Sequence, residues 1–271
     1  KLLFMIDRQN FLIKKNIEVI IILQKLSFNC HNFKFKNIKK ISLIKQIKKS
    51  LSRAKNQGID LSNGKLINFL DDDISISNNY LKKIFSFFKE NKNIDIVFGS
   101  IKILNKEKFY SRYMSDSPTS INILNLKKCL ASAMTLKRRL KKIHFDERFG
   151  LGSIFPSSEE TDLIIEVLTK KDLRIVYFPK IILYHPDNEF LSSNTDKIKS
   201  KYFFYGLGSG GMYAKRFRNN YLFSLFYLFE LIKSSIGIIL GIVKLNKYTV
   251  YKHFYLLNGK IKGFFKFLYS E

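Results

Sequence analysis

The chain has 271 residues, which is enough for one large α/β domain with an appendage or for two small domains. A hydrophobic content of 46% argues against low-complexity disorder, and two cysteines, Cys30 and Cys129, are too few for a disulfide framework and favour a reducing cytoplasm. The formal net charge of +26 predicts an anionic partner, which could be nucleic acid, a membrane surface or a phosphorylated substrate.

The first two thirds of the chain alternate between strand and helix patterns. Short apolar runs at 16–23, 65–70 and 94–104 predict buried strands. Residues 50–64 predict a helix and residues 77–93 an amphipathic helix between them. This alternation predicts a parallel sheet wound with helices.

Three consecutive aspartates, Asp71, Asp72 and Asp73, follow the second of these strands. Ligands bind beyond the carboxyl ends of strands in such sheets, so the aspartates are expected at a ligand-binding edge. Asp73 could instead cap the next helix, but one acid would suffice for a cap. The D-x-D spacing places two carboxylates together and favours Mg²⁺ or Mn²⁺.

A second acidic cluster lies in the sequence SSEETD, which precedes an amphipathic helix within 145–172. Ser157 and Glu160 have the spacing of a capping box, and acids in a first turn complement the helix dipole. A catalytic carboxylate is the alternative. Residues 173–186 predict two short strands that end in His185, which by itself is a weak metal candidate.

Taken in order, these segments resemble family 2 glycosyltransferases of the GT-A fold, and especially bacterial enzymes that build surface polysaccharides. The resemblance is carried by the sequences SLSRAKNQGIDLSNGKLINFLDDD, FDERFGLGSIFPSSEETD, YHP, YGLGSGGMYAKR and LLNGKIKGF. It implies a Rossmann-like mixed sheet flanked by helices, with a helical appendage at the C-terminus.

The resemblance also implies a reaction and its residues. The expected reaction is inverting transfer of a sugar from a nucleotide-diphospho-sugar to a glycan or lipid-linked acceptor. The diphosphate leaving group is stabilised by a Lewis-acidic metal, and the acceptor hydroxyl is deprotonated by a carboxylate. The residues that the resemblance assigns are Asp71, Asp73 and His185 for the metal, Glu160 for the base with Glu159 in reserve, and Arg53, Asn56, Asp71 and Asp72 for the nucleotide-sugar.

The N-terminal part departs from the family pattern. The family opens with a strand and a polar motif that this chain lacks, and the strand at 16–23 ends in Leu23 where an aspartate is expected. We therefore expect either a truncated chain or a decaying gene. An inactive relative that acts as a membrane-associated binding module remains the alternative function.

A glycosyltransferase domain is predicted over 1–190 and a basic helical region over 191–271. Residues 197–271 contain 13 Lys and Arg but only two acids, and 221–243 are long enough to span a bilayer. Because Glu230 and Lys233 interrupt this run, we expect helices that lie in the interface of an anionic membrane, at the cytoplasmic face. Packing on the catalytic domain is the alternative role. Nucleic acid is an unfavoured partner, because the aspartate cluster would repel its backbone.

Overall fold

The structure is a computed structural model that describes residues 1–9, 17–24, 34–140, 142–170, 173–187, 195–217 and 221–270. The chain divides into two compact units. Unit 1 comprises Lys1–Lys49, Arg53–Phe145 and Leu163–Asp187, and unit 2 comprises Ser50–Ser52, Asp146–Asp162 and Asn188–Glu271. The predicted domain boundary after residue 190 lies outside the described residues and stays a prediction. Cys30 also lies outside them.

Unit 1 contains most of the α/β elements. Its helices and strands are α1 (Leu2–Asp7), β1 (Ile17–Leu23), β2 (Ile38–Lys45), α2 (Leu51–Leu61), β3 (Leu66–Asn68), β4 (Ser75–Ile76), α3 (Tyr80–Glu90), β5 (Ile96–Ile103), β6 (Thr119–Ser120), β7 (Met134–Lys137), α4 (Glu159–Lys170) and β8 (Ile175–His185). The first residues of α2, before Arg53, and of α4, before Leu163, belong to unit 2. Strands β1 and β2 pair in parallel as one sheet. The second sheet has the order β3-β7-β5-β8-β4, with β6 paired to β8.

The predicted mixed α/β class is confirmed, but the simpler expectation of a parallel sheet is wrong. In the second sheet only β5 and β8 are parallel, and the other pairs are antiparallel. The alternation of strands and helices in sequence did not reveal β7, which inserts antiparallel between β3 and β5. The chain also contains β2, which the sequence interpretation missed because its basic residues break the apolar run.

The segment 173–186 forms one strand rather than the two that were predicted. Pro179 lies inside β8, where the pairing with β5 shifts register between Phe98 and Ser100. A proline lacks the backbone N–H that regular pairing needs, and such an irregularity accommodates it. The Ser100 hydroxyl donates to the Pro179 carbonyl oxygen at 2.8 Å, which holds the irregular stretch against β5.

The core of unit 1 forms around β5, whose first six residues are buried. Helix α3 packs on the neighbouring strand β8 and adds Tyr80, Ile84, Phe87 and Phe88 to this core, which recur at helical spacing on one face. Burial of each such apolar side chain contributes roughly 1.5–3 kcal/mol. The sheet therefore gives a fixed support to the loops that follow its strands.

Unit 2 includes three long helices: α5 (Thr195–Phe217), α6 (Tyr221–Val243) and α7 (Lys247–Ser270). Helices α5 and α7 cross backbone to backbone, through Gly206 and Gly210 on one helix and Gly259 and Gly263 on the other. A Cβ atom on any of these glycines would collide with main-chain atoms of the opposite helix. The close approach explains these four glycines of YGLGSGGMYAKR and LLNGKIKGF, since only residues without side chains permit it. The other two, Gly208 and Gly211, lie against Ser157 and the Phe155 ring instead.

Helix α6 presents an apolar face that is largely exposed, including Leu225, Phe229 and Ile236. Among the described helices, it alone is long and apolar enough to cross a bilayer, by length and composition only. Its two charged residues are paired: Glu230 Oε2 lies 2.9 Å from the buried Lys260 Nζ of α7, and Glu230 Oε1 lies 3.6 Å from Lys233 Nζ.

Candidate functional site

The aspartate loop lies between β3 and β4 in unit 1. Strand β4 pairs antiparallel with the end of β8, with Ser75 opposite Tyr184. This register brings Asp73, two residues before Ser75, to the last residue of β8, His185. The Asp73 Oδ2 atom lies 3.4 Å from His185 Nε2. Two of the three predicted metal ligands are therefore neighbours.

The imidazole of His185 is held in one orientation. Its Nδ1 atom lies 2.7 Å from the Pro186 carbonyl oxygen, and its ring packs against Tyr110 with centroids 4.5 Å apart. Because a carbonyl oxygen only accepts, Nδ1 must carry the proton, and in the neutral ring Nε2 then presents a lone pair towards Asp73. A carboxylate oxygen and an imidazole lone pair that face each other are suited to share a cation.

The donor atoms fit a divalent metal that also takes ligands from its substrate. Within the described residues, no group of three His, Cys, Asp or Glu side chains converges on one point. Asp71 is half-buried and Asp72 is exposed. Mg²⁺ commonly uses one or two protein carboxylates and completes its shell with water and substrate phosphates, so a site with few protein ligands is compatible with such an ion.

The end of β3, just before the loop, is fixed by a partly buried amide. The Asn68 side-chain nitrogen donates to the Met134 carbonyl at 3.1 Å and the Thr135 hydroxyl at 2.9 Å, and the Tyr80 hydroxyl donates to the Asn68 side-chain oxygen at 3.3 Å. Burial raises the pKa of Tyr80 well above its usual range, so its hydroxyl stays protonated. Sequence interpretation missed this support, although an Asn inside an apolar strand was a visible signal.

The two residues predicted on α2 have different surroundings. Asn56 is buried, and its amide donates to the Phe145 carbonyl at 2.9 Å and accepts from the Phe145 N–H at 2.8 Å. This arrangement occupies both ends of the amide and indicates a structural role. Arg53 is half-buried on the same helix. The nucleotide contacts of both residues stay predictions.

The second acidic cluster forms the first turn of α4, within unit 2. Helix α4 begins at Glu159, so the residue at its N-cap position is Ser158 rather than Ser157. The Ser157 hydroxyl lies 3.2 and 3.3 Å from the Phe204 and Tyr205 carbonyl oxygens of α5, to which it donates. The capping box of Ser157 and Glu160 is therefore out of register with the helix by one residue.

The entry into α4 is tightly built. Ser158 has φ of +72°, a left-handed conformation that is uncommon for a serine. Gly150, with φ of +98°, packs so closely that a Cβ atom there would lie 2.7 Å from the Ser52 hydroxyl and 3.3 Å from the Glu159 carboxyl carbon. Strained backbone of this kind often accompanies functional sites. Glu159 is 7% exposed, whereas Glu160 is half-buried.

The third acid of this turn, Asp162, is 1% exposed and fully engaged. One guanidinium N–H group of Arg216, on α5, donates to Asp162 Oδ1, and another donates to the main-chain oxygen of Asp162 at 2.8 Å. Lys215 donates to Asp162 Oδ2 at 2.8 Å and to Asp146 Oδ2 at 2.7 Å. These contacts give the AKR part of YGLGSGGMYAKR a structural role that the sequence did not reveal.

Asp146 extends this network into the loop before α4. Burial alone would raise the pKa of Asp146, but hydrogen bonds from Arg148 and Lys215 outweigh burial and hold the pKa well below its usual range. The Arg148 guanidinium also lies over the Phe267 ring, 4.7 Å from its centroid. The loop is thereby tied to α7 as well as to α5.

Comparison with known proteins identifies the family of the chain. The model of glycosyl transferase family 2 matches residues 12–153, which is half of the chain. The minor teichoic acid biosynthesis protein GgaB of Bacillus subtilis (strain 168) is 28% identical over 171 residues. That match covers 58% of this chain but only 18% of GgaB, so the chain spans less than a fifth of that relative.

Solved structures share the fold at low identity. TarS 1–349 of S. aureus in complex with UDP-GlcNAc has a TM-score of 0.54 and 17% identity, over 75% of this chain and 61% of that one. The mannosyltransferase PcManGT of Pyrobaculum calidifontis, in complex with GDP-Man and Mn²⁺, has a TM-score of 0.55 and 11% identity, over 84% of this chain and 70% of that one. These likenesses confirm the predicted class of fold.

Proposed function

Since the chain belongs to glycosyl transferase family 2, we propose that it transfers a sugar from a nucleotide-diphospho-sugar to a hydroxyl group of a surface polysaccharide or its lipid-linked precursor. The observation that carries the proposal is the pairing of Asp73 with His185 where β8 ends. Structural relatives in complex with UDP-GlcNAc or with GDP-Man and Mn²⁺ support a nucleotide-sugar donor and a divalent ion.

At the donor end, Asp73 and His185, with Asp71, would hold Mg²⁺ or Mn²⁺. A bound ion of this kind supplies Lewis acidity towards the diphosphate leaving group. The protein residues orient the donor: Asp72 and Arg53 are exposed or half-exposed near the ends of β3 and α2 and can contact its polar groups. The resemblance also assigns Asn56 here, but its amide is already occupied by Phe145.

At the acceptor end, Glu160 is the proposed base. A carboxylate that accepts the proton of the attacking hydroxyl typically contributes 10²–10⁴-fold to the rate. Between the two candidates, Glu160 is the more accessible, because Glu159 is buried against Gly150. Attack on the anomeric carbon opposite the leaving diphosphate would invert its configuration.

The acceptor class is suggested by the name of one relative. GgaB is named for the biosynthesis of minor teichoic acid, and we extend that acceptor class to this chain. A phosphate-rich polymer also suits a chain with a formal net charge of +26.

The test measures release of UDP from UDP-GlcNAc by the full chain, with Mn²⁺ and purified teichoic acid. We expect Glu160→Gln to lower the rate by about 10²–10⁴-fold while UDP binding persists. Glu166→Gln, on the same helix but paired with Lys170 at 3.6 Å on the surface, is the matched control and should keep the parent rate. Loss in Glu159→Gln but not in Glu160→Gln would identify the other acid as the base.

An inactive binding module is the second candidate, and one observation favours it. Strand β1 ends in the apolar Leu23, where the family pattern leads us to expect an acid. Calorimetry with UDP and GDP separates the two candidates. Binding without turnover of any tested donor would establish the binding module and overturn the transferase.

We also propose that unit 2 lies against the cytoplasmic face of the cell membrane. The apolar face of α6 bears no unpaired charge, because Glu230 contacts Lys260 and Lys233. Exposed basic residues of this region, such as Lys244 and Lys247, would contact anionic headgroups while apolar side chains insert among the acyl chains. Each Lys near such a surface contributes about 1 kcal/mol, and salt screens this contribution.

Flotation with phosphatidylglycerol vesicles tests this placement. We expect Ile236→Glu, on the exposed face of α6, to weaken binding, and Ile47→Glu, at a still more exposed isoleucine of unit 1, to leave it unchanged. Release of the expressed protein by alkaline carbonate would support interfacial binding, and retention would indicate a spanning α6. Failure of the parent chain to float would leave packing as the role of these helices.

A further inference from the structure

The last turn of α5 and the first turn of α4 are joined by a network that the proposed reaction does not use. Lys215 and Arg216, adjacent in sequence, bind the two carboxylate oxygens of Asp162. Arg216 also binds the main-chain oxygen of Asp162. Side chain and backbone of this one residue are thus fixed together, and the planar guanidinium sets the direction of both contacts.

We propose that Lys215 and Arg216 are positioning residues for Glu160, an inference that rests on the proposed role of Glu160 as the base. Glu160 precedes Asp162 by two residues in the same helical turn. A hydrogen-bonded turn moves as one body, so anchoring the backbone of Asp162 also fixes the point from which Glu160 extends. A displacement of about 1 Å at a reacting group can cost 100-fold in rate.

The opposite side of the turn is restrained as well. Ser158 lies in its left-handed conformation immediately before α4, and Glu159 packs against Gly150. Asp146 restrains the far side of Lys215, which contacts both aspartates at 2.7 and 2.8 Å. Glu160 is therefore the one acid of the turn that is more exposed than its neighbours and yet extends from a backbone held on both sides, as a preorganised base requires.

The first experiment separates positioning from simple support of the fold by steady-state kinetics with UDP-GlcNAc. Lys215→Met should lower kcat by 10- to 100-fold with the KM for UDP-GlcNAc within twofold of the parent. Lys199→Met, the same change at the other end of α5 in a surface pair with Asp196, should leave both constants unchanged. Lys215→Arg should recover part of the loss, since it keeps the charge.

A double-mutant cycle then asks whether Lys215 acts through Glu160. In the Glu160→Gln background, Lys215→Met should cause no further loss of kcat, because the group that it positions is gone. Losses that multiply would overturn the inference, and so would a change in KM alone.

Hydrogen exchange gives a readout that does not depend on turnover. Amides of 159–163 should exchange at least tenfold faster in Lys215→Met than in Lys199→Met, while those of β5 stay unchanged. Asp146→Asn removes one contact of Lys215 but leaves Asp162 paired, so the exchange rate of these amides should increase less than in Lys215→Met. This variant also keeps the test available if Lys215→Met does not fold. Unchanged exchange in both variants would overturn positioning. A parent chain without turnover would overturn the proposed function, and hydrogen exchange would still decide positioning.

Discussion

Asp73 and Asp162 are both acids of motifs that the sequence singled out, but their surroundings are opposite. The Asp73 side chain is 55% exposed and faces one imidazole at 3.4 Å. The Asp162 side chain is 1% exposed and accepts from a lysine and an arginine. The Asp73 carboxylate is accessible to a ligand, whereas both oxygens of the Asp162 carboxylate accept hydrogen bonds from the protein.

This difference has an energetic counterpart. Exposed ion pairs typically contribute about 0–1 kcal/mol, because water screens the attraction and side-chain entropy opposes it. Removal of one partner from a buried pair costs about 3–5 kcal/mol, since the other charge is left without solvent or partner. We therefore expect stability to depend strongly on the contacts of Asp162 and weakly on those of Asp73.

The largest expected effect is that of Arg216→Met. Among the described residues, Lys215 would remain as the cationic partner of Asp162, so we expect a loss of about 3 kcal/mol in the free energy of unfolding. Urea denaturation of the full chain measures it. Lys170→Met breaks an exposed pair with Glu166 at 3.6 Å and should cost less than about 0.5 kcal/mol. Equal losses in the two variants would contradict the contrast.

The next effect concerns the packing that supports Glu159. Gly150→Ala would place a methyl group 2.7 Å from the Ser52 hydroxyl at a φ of +98°, and we expect a loss of about 1–3 kcal/mol. Gly58→Ala is the matched control, because nothing lies within 4 Å of its Cβ position in α2. There the helix propensity of alanine should add up to about 1 kcal/mol. Thermal unfolding should therefore show a lower Tm than the parent for Gly150→Ala and a higher Tm for Gly58→Ala.

A third effect should appear only in acid. The pKa of Asp146 is lower in the folded chain than in the unfolded one, so its contribution to stability is present above the unfolded value of about 3.9 and is lost as pH falls further. We expect Asp146→Asn to be less stable than the parent at pH 7 and to lose less stability between pH 5 and pH 2. Parallel stability curves over that range would contradict the shift.

The comparison also shows what sequence could and could not predict. Asp73 was named for its D-x-D spacing after a strand and His185 through the family resemblance, and the pairing of β4 with β8 brings them together. The role of Asp162 was not foreseen, because its partners lie more than 50 residues away on a helix whose basic residues resembled a solvated or membrane-facing surface. Hydrophobic periodicity predicts helices and strands and where they end, whereas the charge of a segment does not show which of its Lys and Arg side chains are buried.

The mixed order of the second sheet was likewise beyond pattern reasoning, although the resemblance implied it. A four-residue strand such as β7 has too few residues for a periodicity signal, and its antiparallel insertion beside β5 depends on long-range pairing. Asn56 shows the converse limit. Its motif suggested a ligand contact, but its amide binds the backbone of Phe145.

The smallest effect on stability is expected at Asp73 itself, when no ligand is bound. A second histidine–aspartate pair in unit 1, His144 with Asp60, serves as the control for His185 with Asp73. In the control pair, Nε2 and Oδ1 are 2.9 Å apart and both side chains are exposed. Asp73→Asn and Asp60→Asn should each change the free energy of unfolding by less than about 1 kcal/mol.

With Mn²⁺ and UDP, the parent and Asp60→Asn should gain stability in proportion to RT ln(1 + [L]/Kd), whereas Asp73→Asn should gain little. Thermal shifts with Mn²⁺ alone, UDP alone and both together separate metal from nucleotide binding, and GDP in place of UDP tests the base. An equal gain in both variants would show that Asp73 does not bind the ion, even if the chain transfers sugar.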